Sequence, residues 1–390
     1  MFVRHADMAI SQHFTKYREI LVLLGARQVG KTTLLQRLFP DAQYLNVDND
    51  PVKNNLEKYD PAVYQTLLGQ EKRIVVIDEI HKTTDPGRVA KIIYDQIPGV
   101  QLIITGSSSL AIKNKATESL AGRKIDYHLY PLTISEYLVQ RGLEKELTYP
   151  LLNKIVSVKK NQMPVKIFDW EALLDNLLVF GLYPATLAHP SDPLYLNNLV
   201  DSVIFRDLVE LSLLENRVAA LSLLKLLAHQ IGYLVNYSEL ATQLGIDVKT
   251  VQRYISIFEQ SYLIFTLKPY STRQRDEIAK MPKIYFYDNG LRNALISNFQ
   301  PINDRGDSGA LFENLIIAEI QKENYYGNFG YQLNFWRTKS GSEVDLVLSQ
   351  NNHPTFACEI KIRAKRTNQA FTNRYPKTKS ILVSKESVFS

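Results

Sequence analysis

Short apolar runs alternate with helical patterns from Glu19 to about Tyr137, and this alternation constrains the fold more than any other feature of the sequence. Five runs have the length of strands, and most are apolar on both faces: residues 20–25, 42–48, 73–79, 101–107 and 124–132. Continuous apolar strands separated by helices are typical of a parallel sheet that is covered on both sides. We therefore predict an α/β fold built on a parallel sheet for the first third of the chain.

A glycine-bordered loop follows the first of these runs and leads into a helical segment. Residues 25–32 read Gly-Ala-Arg-Gln-Val-Gly-Lys-Thr, which fits the pattern G-x-x-x-x-G-K-[S/T]. Such a loop wraps phosphates with its backbone N–H groups, and the helix N-terminus adds partial positive charge. Lys31 is expected to reach the β- and γ-phosphates of ATP, and the Thr32 hydroxyl to ligate Mg²⁺. The predicted nucleotide-binding residues are Gly25, Ala26, Arg27, Gln28, Val29, Gly30, Lys31, Thr32 and Thr33.

Polar residues end the neighbouring runs, where they would meet the phosphates. We expect Asp78 to hold the Mg²⁺ and Glu79 to act as the general base that polarises the attacking water. The next run ends in TGSSS, where Ser107 or Ser108 could touch the γ-phosphate, or could equally cap the following helix. Arg123 is a candidate arginine finger for a neighbouring subunit, with a surface or structural role in its own chain as the equal alternative.

The pattern divides the chain into four predicted domains. Residues 1–140 form the P-loop core, and residues 141–215 are helical, interrupted at Gly181 and Pro184, and are predicted to be a lid or connector. Residues 216–300 contain two amphipathic helices joined at Gly245 and then an alternating segment, an order typical of a winged helix-turn-helix. Residues 301–390 run helix, strand, strand, strand and end in a basic tail, which predicts a smaller α/β domain.

Two strings near the C-terminus resemble the D…(D/E)-x-K pattern of the restriction-endonuclease-like superfamily. Residues 343–345 read Glu-Val-Asp and residues 359–361 read Glu-Ile-Lys. Carboxylates on adjacent strands, here Asp345 and Glu359, would converge on a second divalent metal, and the resemblance adds Glu313 as a further ligand. The strand period of two puts Lys361 on the same face as Glu359, where it could orient water in a nuclease reaction. Such folds are often kept only to bind nucleic acid, so cleavage is a separate question.

Basic and polar side chains stand at positions suited to DNA. Four begin the second helix of the predicted winged helix, the end that would enter a major groove: Lys249, Thr250, Gln252 and Arg253. The basic tail interleaves Phe371 and Tyr375 with Lys361, Arg363, Lys365, Arg366, Arg374, Lys377 and Lys379. A solvated charged face is the alternative interpretation of each group. Together they favour DNA that is bound mainly through its phosphates.

Several strings resemble the prokaryotic AAA-type P-loop ATPases of the AAA+ superfamily: GARQVGKTTL, VVIDEIHK, ITGSSS, and LAGR followed by PLTISEYL. FRDLVEL, KIYFYDNGLR and FENLIIAE extend the resemblance over nearly the whole chain, to members in which a C-terminal domain of unknown function follows the ATPase. The resemblance implies Mg²⁺-dependent ATP hydrolysis, with ATP and Mg²⁺ as cofactors, in a homo-oligomer such as a hexamer.

The composition of the chain indicates its cellular compartment and the kind of partner that it could bind. Cys358 is the only cysteine, which excludes an intrachain disulfide and a zinc site built from several thiolates. The first residues lack the apolar core of a secretory signal, and no run of 18 uncharged apolar residues occurs. We therefore predict a cytoplasmic protein without a membrane segment. The net charge of +6 is compatible with a polyanionic partner.

These observations leave three functions open. In the first, ATP hydrolysis in an oligomer drives the C-terminal half to bind, remodel or process DNA. In the second, the chain is an ATP-switched regulator whose winged helix and inactive nuclease-like domain hold DNA or protein without cutting. In the third, it is a signalling scaffold whose helix-turn-helix packs only against protein.

Overall fold

The computed structural model describes residues 2–69, 73–106, 120–157, 169–202, 216–271, 281–338, 340–362 and 369–388. These residues form two compact units. The first unit contains residues 2–131 and 260–262, and the second contains residues 132–202, 216–259 and 263–388 of the described chain. The division into four domains stays a prediction of the sequence. No helix within these ranges is both long and apolar enough to cross a membrane.

The first unit is built on a five-stranded sheet whose strands are β1 (Ile20–Gly25), β2 (Gln43–Asn46), β3 (Arg73–Asp78), β4 (Val100–Gly106) and β5 (Lys124–Leu129). Every neighbouring pair is parallel, in the order β2-β3-β4-β1-β5. The helices that belong to it are α1 (Asp7–Ser11), α2 (His13–Lys16), α3 (Lys31–Leu38), α4 (Asp50–Leu56), α5 (Pro61–Leu68) and α6 (Pro86–Gln96). The predicted parallel α/β fold is confirmed.

Strand order brings distant parts of the sequence to one edge of this sheet. β4 lies between β3 and β1, because the chain leaves β1, crosses to β2 at the edge of the sheet, and returns to the centre through β3 and β4. In open parallel sheets, ligands bind at the carboxyl ends of the strands, where the strand order reverses. The loop after β1 and the carboxyl ends of β3 and β4 therefore share one edge.

The second unit contains a six-stranded sheet whose strands are β6 (Ile264–Pro269), β7 (Lys283–Phe286), β8 (Gln332–Arg337), β9 (Glu343–Gln350), β10 (His353–Ile360) and β11 (Lys379–Val383). Their order is β11-β10-β9-β8-β6-β7, with β10–β11 and β6–β8 parallel and the other pairs antiparallel. The predicted α/β character of the C-terminal part is confirmed. The hairpin β6–β7 lies in the same sheet as β8, β9, β10 and β11, and the last of these is a strand within the predicted basic tail.

The helices that surround or precede this sheet are α7 (Ile134–Gln140), α8 (Pro150–Ser157), α9 (Trp170–Phe180), α10 (Ala185–Ala188), α11 (Pro193–Val200), α12 (Arg217–His229), α13 (Tyr237–Leu244), α14 (Val248–Gln260), α15 (Asn289–Leu295), α16 (Ser308–Tyr326) and α17 (Ala370–Arg374).

Buried carboxylates of α16 fix two helix ends in the second unit. Glu319 accepts the N–H of Ile134 at the start of α7 at 2.6 Å. Glu323 accepts two backbone N–H groups at the start of α8, at 2.7 and 3.3 Å. Lys322, one turn from Glu319, donates to its carboxylate at 2.9 Å. A carboxylate is favourable at a helix N-terminus because it meets unpaired N–H groups and the positive end of the dipole.

A second charged cluster surrounds Asp307, just before α16. Its carboxylate accepts hydrogen bonds from Arg292 at 2.6 Å and from Arg305 at 2.8 Å. Burial acts to raise the pKa of Asp307, but these two guanidinium groups outweigh it and lower the pKa from 3.8 to about 2. The ionised carboxylate therefore stabilises the fold at neutral pH.

Candidate ATP site and C-terminal acidic cluster

Two glycines shape the loop between β1 and α3. A Cβ atom on Gly25 would lie 2.2 Å from the carbonyl oxygen of Leu129 in β5, so no larger residue fits there. Gly30 has a φ of +93°, a conformation that only glycine adopts at little cost. Ala26 and Val29 are fully buried beneath the loop, which anchors it to the unit. Arg27 is partly buried, and Gln28 and Thr33 are exposed.

The ammonium group of Lys31 is held against this loop. The side chain is buried, and Nζ donates hydrogen bonds to the carbonyl oxygens of Gly25 at 3.0 Å and Ala26 at 2.9 Å. A positive charge is thus placed beside the backbone N–H groups that wrap phosphate in loops of this type. Contact between Lys31 and a polyphosphate stays a prediction.

Oxygen ligands for a metal ion meet at the adjoining strand ends. The Thr32 hydroxyl donates to Asp78 Oδ2 at 2.7 Å, which joins the first turn of α3 to the end of β3. Mg²⁺ prefers oxygen ligands and commonly takes one or two carboxylates together with substrate phosphates. The two residues therefore fit Mg²⁺, which would neutralise charge on the β- and γ-phosphates when it is bound with ATP.

Thr105, near the end of β4, connects the two acidic residues. Its hydroxyl donates to Asp78 Oδ1 and accepts the backbone N–H of Glu79 at 3.2 Å. Thr105 is fully buried, so water does not compete for these bonds. Thr105 was not among the predicted site residues. A lone threonine within the apolar run 102–105, next to the acidic strand end, is the signal that could have identified it.

Glu79 stands in an unusual backbone conformation beside this network. Its φ of 57° and ψ of 39° are left-handed, which costs a residue other than glycine about 1–3 kcal/mol. His81 Nδ1 lies 3.3 Å from Glu79 Oε2. Burial raises the pKa of Glu79, while the nearby charge of Lys31 opposes the rise. A carboxylate with a raised pKa is a stronger base towards water, as the predicted role requires.

The remaining predicted residues of this site have different outcomes. Ser107 and Ser108 lie outside the described residues. Arg123 precedes β5, and its Nε donates to Asp95 Oδ1 of α6 at 2.9 Å. Arg123 is thus paired within its own chain, and its action on a neighbouring subunit stays a prediction.

A second residue that the sequence analysis missed is Arg4, in the segment before α1. Its buried guanidinium donates to the carbonyl oxygens of Val29 at 2.9 Å and Tyr130 at 2.7 Å. It therefore joins the phosphate loop to the chain just after β5. No motif marks Arg4, because both of its acceptors are backbone atoms far away in the sequence.

The structure brings the predicted C-terminal residues together on α16, β9 and β10. Asp345 Oδ2 accepts hydrogen bonds from Lys361 Nζ at 3.0 Å and from the Ile360 N–H at 2.8 Å. Burial raises the pKa of Glu313, and the negative charge of Asp345 raises it further. Glu359 is buried and close enough for its charge to help raise the pKa of Lys361.

Two side chains of β7, which the sequence analysis missed, complete this acidic cluster. Lys283 Nζ lies 3.3 Å from Glu313 Oε1 and 2.5 Å from Glu343 Oε1. The Tyr285 hydroxyl donates to Glu313 Oε1 at 2.6 Å. Throughout the described part of the chain, no three His, Cys, Asp or Glu residues are grouped so that they could hold a metal ion.

The helix pair α13–α14 presents most of the predicted DNA-binding residues to solvent. Lys249, Gln252 and Arg253 are exposed on α14. Thr250 is half-buried, and its N–H and hydroxyl both donate to the carboxylate of Asp247, at 2.9 and 2.6 Å. Asp247 therefore caps the helix, and Thr250 is its hydrogen-bond donor in the first turn. Part of the predicted basic tail lies outside the described residues: Arg363, Lys365 and Arg366.

Three family models match separate parts of the chain. An AAA domain matches residues 17–138, a domain of unknown function (DUF8612) matches residues 171–301, and another (DUF4143) matches residues 308–388. The first match spans β1 to β5 together with the loop, Lys31, Asp78 and Glu79. The N-terminal part is therefore similar to AAA domains, as the sequence predicted.

Relatives resemble the chain over most of its length. An uncharacterised protein of Methanocaldococcus jannaschii is 26% identical and aligns with 95% of this chain and 81% of its own. An uncharacterised protein of Haemophilus influenzae is 22% identical, over 86% of this chain and 84% of its own. Among solved structures, a Walker-type ATPase of Pyrococcus abyssi is 15% identical with a TM-score of 0.46, over 76% of this chain and 96% of that one.

Proposed function

We propose that this protein is a Mg²⁺-dependent ATPase whose hydrolysis cycle controls DNA binding by the second unit. One observation carries the proposal: Thr105 joins Asp78 and Glu79, and Asp78 is hydrogen-bonded to Thr32 of the phosphate loop. Metal ligands, a general base and a phosphate-binding lysine are therefore adjacent at one sheet edge.

Each residue then has a defined task in hydrolysis. Lys31 and the loop N–H groups bind the β- and γ-phosphates, and Thr32 and Asp78 would hold Mg²⁺. Glu79 accepts a proton from the water that attacks the γ-phosphorus, while the bond to the bridging oxygen of ADP breaks. Thr105 positions both acidic residues. In a homo-oligomer, Arg123 would reach a neighbouring ATP only after leaving Asp95.

DNA binding is supported by the exposed side chains of α14. Lys249, Gln252 and Arg253 have the i, i+3, i+4 spacing that places them along one helix face. Asp247, exposed before the first turn of α14, is kept ionised because its hydrogen bonds with Thr250 lower its pKa. Its negative charge disfavours phosphate at the helix N-terminus itself. We therefore expect the side chains of Lys249 and Arg253 to supply the phosphate contacts.

The test measures the ATPase rate and the DNA affinity together. We expect single-stranded, double-stranded or branched DNA to stimulate hydrolysis, and DNA affinity to differ between the ATP- and ADP-bound protein. Changing Lys249 and Arg253 together to Ala should flatten the slope of log affinity against log salt by about 1.4 to 1.8, as expected for two lost phosphate contacts. Lys225→Ala, at an exposed position on α12, is the matched control and should leave the slope unchanged.

Two results would contradict the proposal. One is an ATPase rate that no form of DNA alters, combined with equal DNA affinity in both nucleotide states. The other is weak DNA retention that is insensitive to salt, which would favour the protein scaffold instead.

A further inference from the structure

The acidic cluster of the second unit contains its own buried cation. Lys283 begins β7 and its side chain is only 3% exposed. Nζ contacts Glu313 of α16 at 3.3 Å and Glu343 of β9 at 2.5 Å. The ammonium group is therefore fixed between carboxylates from two different elements, and one of them, Glu313, is a predicted metal ligand.

Further cations nearly balance the remaining negative charge. Lys361 Nζ lies 3.0 Å from Asp345 Oδ2, and Arg337 lies 3.6 Å from Glu343. Four carboxylates, with Glu359 as the fourth, thus meet two ammonium groups and one guanidinium.

Lys283 forms ion pairs with both Glu313 and Glu343. Removing its ammonium group would leave these two carboxylates without this counter-charge.

These contacts occupy oxygen atoms that the predicted ligands would use to bind a divalent metal ion. The Oε1 atom of Glu313 already accepts hydrogen bonds from Tyr285 and Lys283. The Oδ2 atom of Asp345 accepts hydrogen bonds from Lys361 Nζ and from the Ile360 N–H. A metal ion needs several oxygen atoms directed at it in close geometry. It would also be repelled by the ammonium group at close range in a buried site, where water screens charges weakly.

We propose that Lys283 is an internal counter-ion that takes the place of a divalent metal, so that the acidic cluster is metal-independent and does not support metal-dependent cleavage of nucleic acid. The predicted second metal site at Glu313, Asp345 and Glu359 is replaced by this assignment. The inference depends only on the second unit, so its failure would leave the proposed control of DNA binding by ATP standing.

The experiment titrates the nucleotide-free full-length protein with Mn²⁺ and follows free Mn²⁺ by electron paramagnetic resonance. We expect wild type and Asp345→Asn to bind Mn²⁺ equally. Lys283→Met should gain a Mn²⁺ site whose affinity is at least about tenfold higher than the Mn²⁺ affinity of wild type, because the competing charge is gone. Adding Asp345→Asn to Lys283→Met should abolish the gain. Lys268→Met, which removes an exposed lysine of β6, is the matched control and should behave as wild type.

A thermal stability measurement shows whether each variant is folded, so that a missing Mn²⁺ site is not confused with unfolding. Lys283→Met should melt below wild type without metal, and Mn²⁺ should restore part of the difference, whereas Mn²⁺ should leave wild type unchanged. Lys283→Gln, which removes the charge but keeps a hydrogen-bond donor, is titrated in parallel. A saturable Mn²⁺ site in wild type that disappears in Asp345→Asn would overturn the proposal. Folded Lys283→Met and Lys283→Gln proteins that both fail to gain a site would also overturn it.

Discussion

Replacing Thr105 by Val tests whether the hydroxyl that joins Asp78 to Glu79 positions them for hydrolysis. Valine has nearly the same shape, so the buried site stays filled while both hydrogen bonds are lost. A hydrogen bond to a charged group contributes about 1.5–3 kcal/mol. If the transition state loses that much stabilisation because Asp78 is no longer oriented, kcat falls about 10- to 100-fold, since about 1.4 kcal/mol corresponds to a factor of ten.

The assay is steady-state phosphate release at varied ATP and Mg²⁺ concentrations. The KM for ATP should change less than about threefold, because Lys31 and the loop remain intact and a lost positioning effect appears in kcat. The apparent affinity for Mg²⁺ should fall together with kcat. Loss of a residue that hydrogen-bonds to a metal ligand typically lowers metal affinity or activity by about 10- to 100-fold.

Thr105→Ser keeps the hydroxyl and serves as the control. It should retain most of the wild-type rate. If Thr105→Val turns over as fast as wild type, the hydroxyl does not position the acidic residues. If Ser and Val reduce kcat equally, the methyl group lost in Ser matters as much as the hydroxyl lost in Val, so the effect is not specific to the two hydrogen bonds. Either result would refute the reasoning.

Two further predictions concern catalysis and pH. Glu79→Gln should bind ATP with affinity close to that of wild type but hydrolyse it at least about 100-fold more slowly, because the amide cannot accept the water proton; normal turnover would mean that another base acts. Asp307 has a lowered pKa, so its stabilisation is complete above about pH 4 and is lost as pH falls towards 2. Denaturant unfolding of Asp307→Asn should show a deficit of about 1–2 kcal/mol at pH 5, after allowance for solvent screening, that shrinks towards pH 2. Asp304→Asn, at an exposed position nearby, is the control, and a deficit that does not change with pH would contradict the assignment.

The parallel sheet and the phosphate loop could be predicted because short stretches of sequence determine both. An apolar run followed by glycine, lysine and threonine determines strand, turn and helix start within about a dozen neighbouring positions. Asp78 and Glu79 were found for the same reason, as the polar end of an apolar run. Their relation to Lys31 followed from the general rule that parallel strands carry ligands at one edge.

The contacts of Thr105, Arg4 and Lys283 could not be predicted, because they depend on strand order and on backbone acceptors. Thr105 matters only because β4 lies next to β3, although many residues separate them in the chain. Lys283 meets Glu343 only after β6 and β7 have joined the same sheet as β8 and β9. The position of the Thr250 side chain depends on a local competition, since its hydroxyl can donate to the capping carboxylate of Asp247 or to a partner.

The shared sheet of the second unit limits how its parts can be exchanged between proteins. The hairpin that follows α14 is hydrogen-bonded through β6 to β8, and β7 carries the ammonium group that neutralises Glu313 and Glu343. A chimera that takes α13, α14 and the hairpin from a relative would have to form the β6–β8 pairing anew, and would leave Glu313 and Glu343 uncompensated unless the donor brings an equivalent lysine. Recombination within this half of the chain is therefore expected to succeed only when hairpin and C-terminal strands are inherited together.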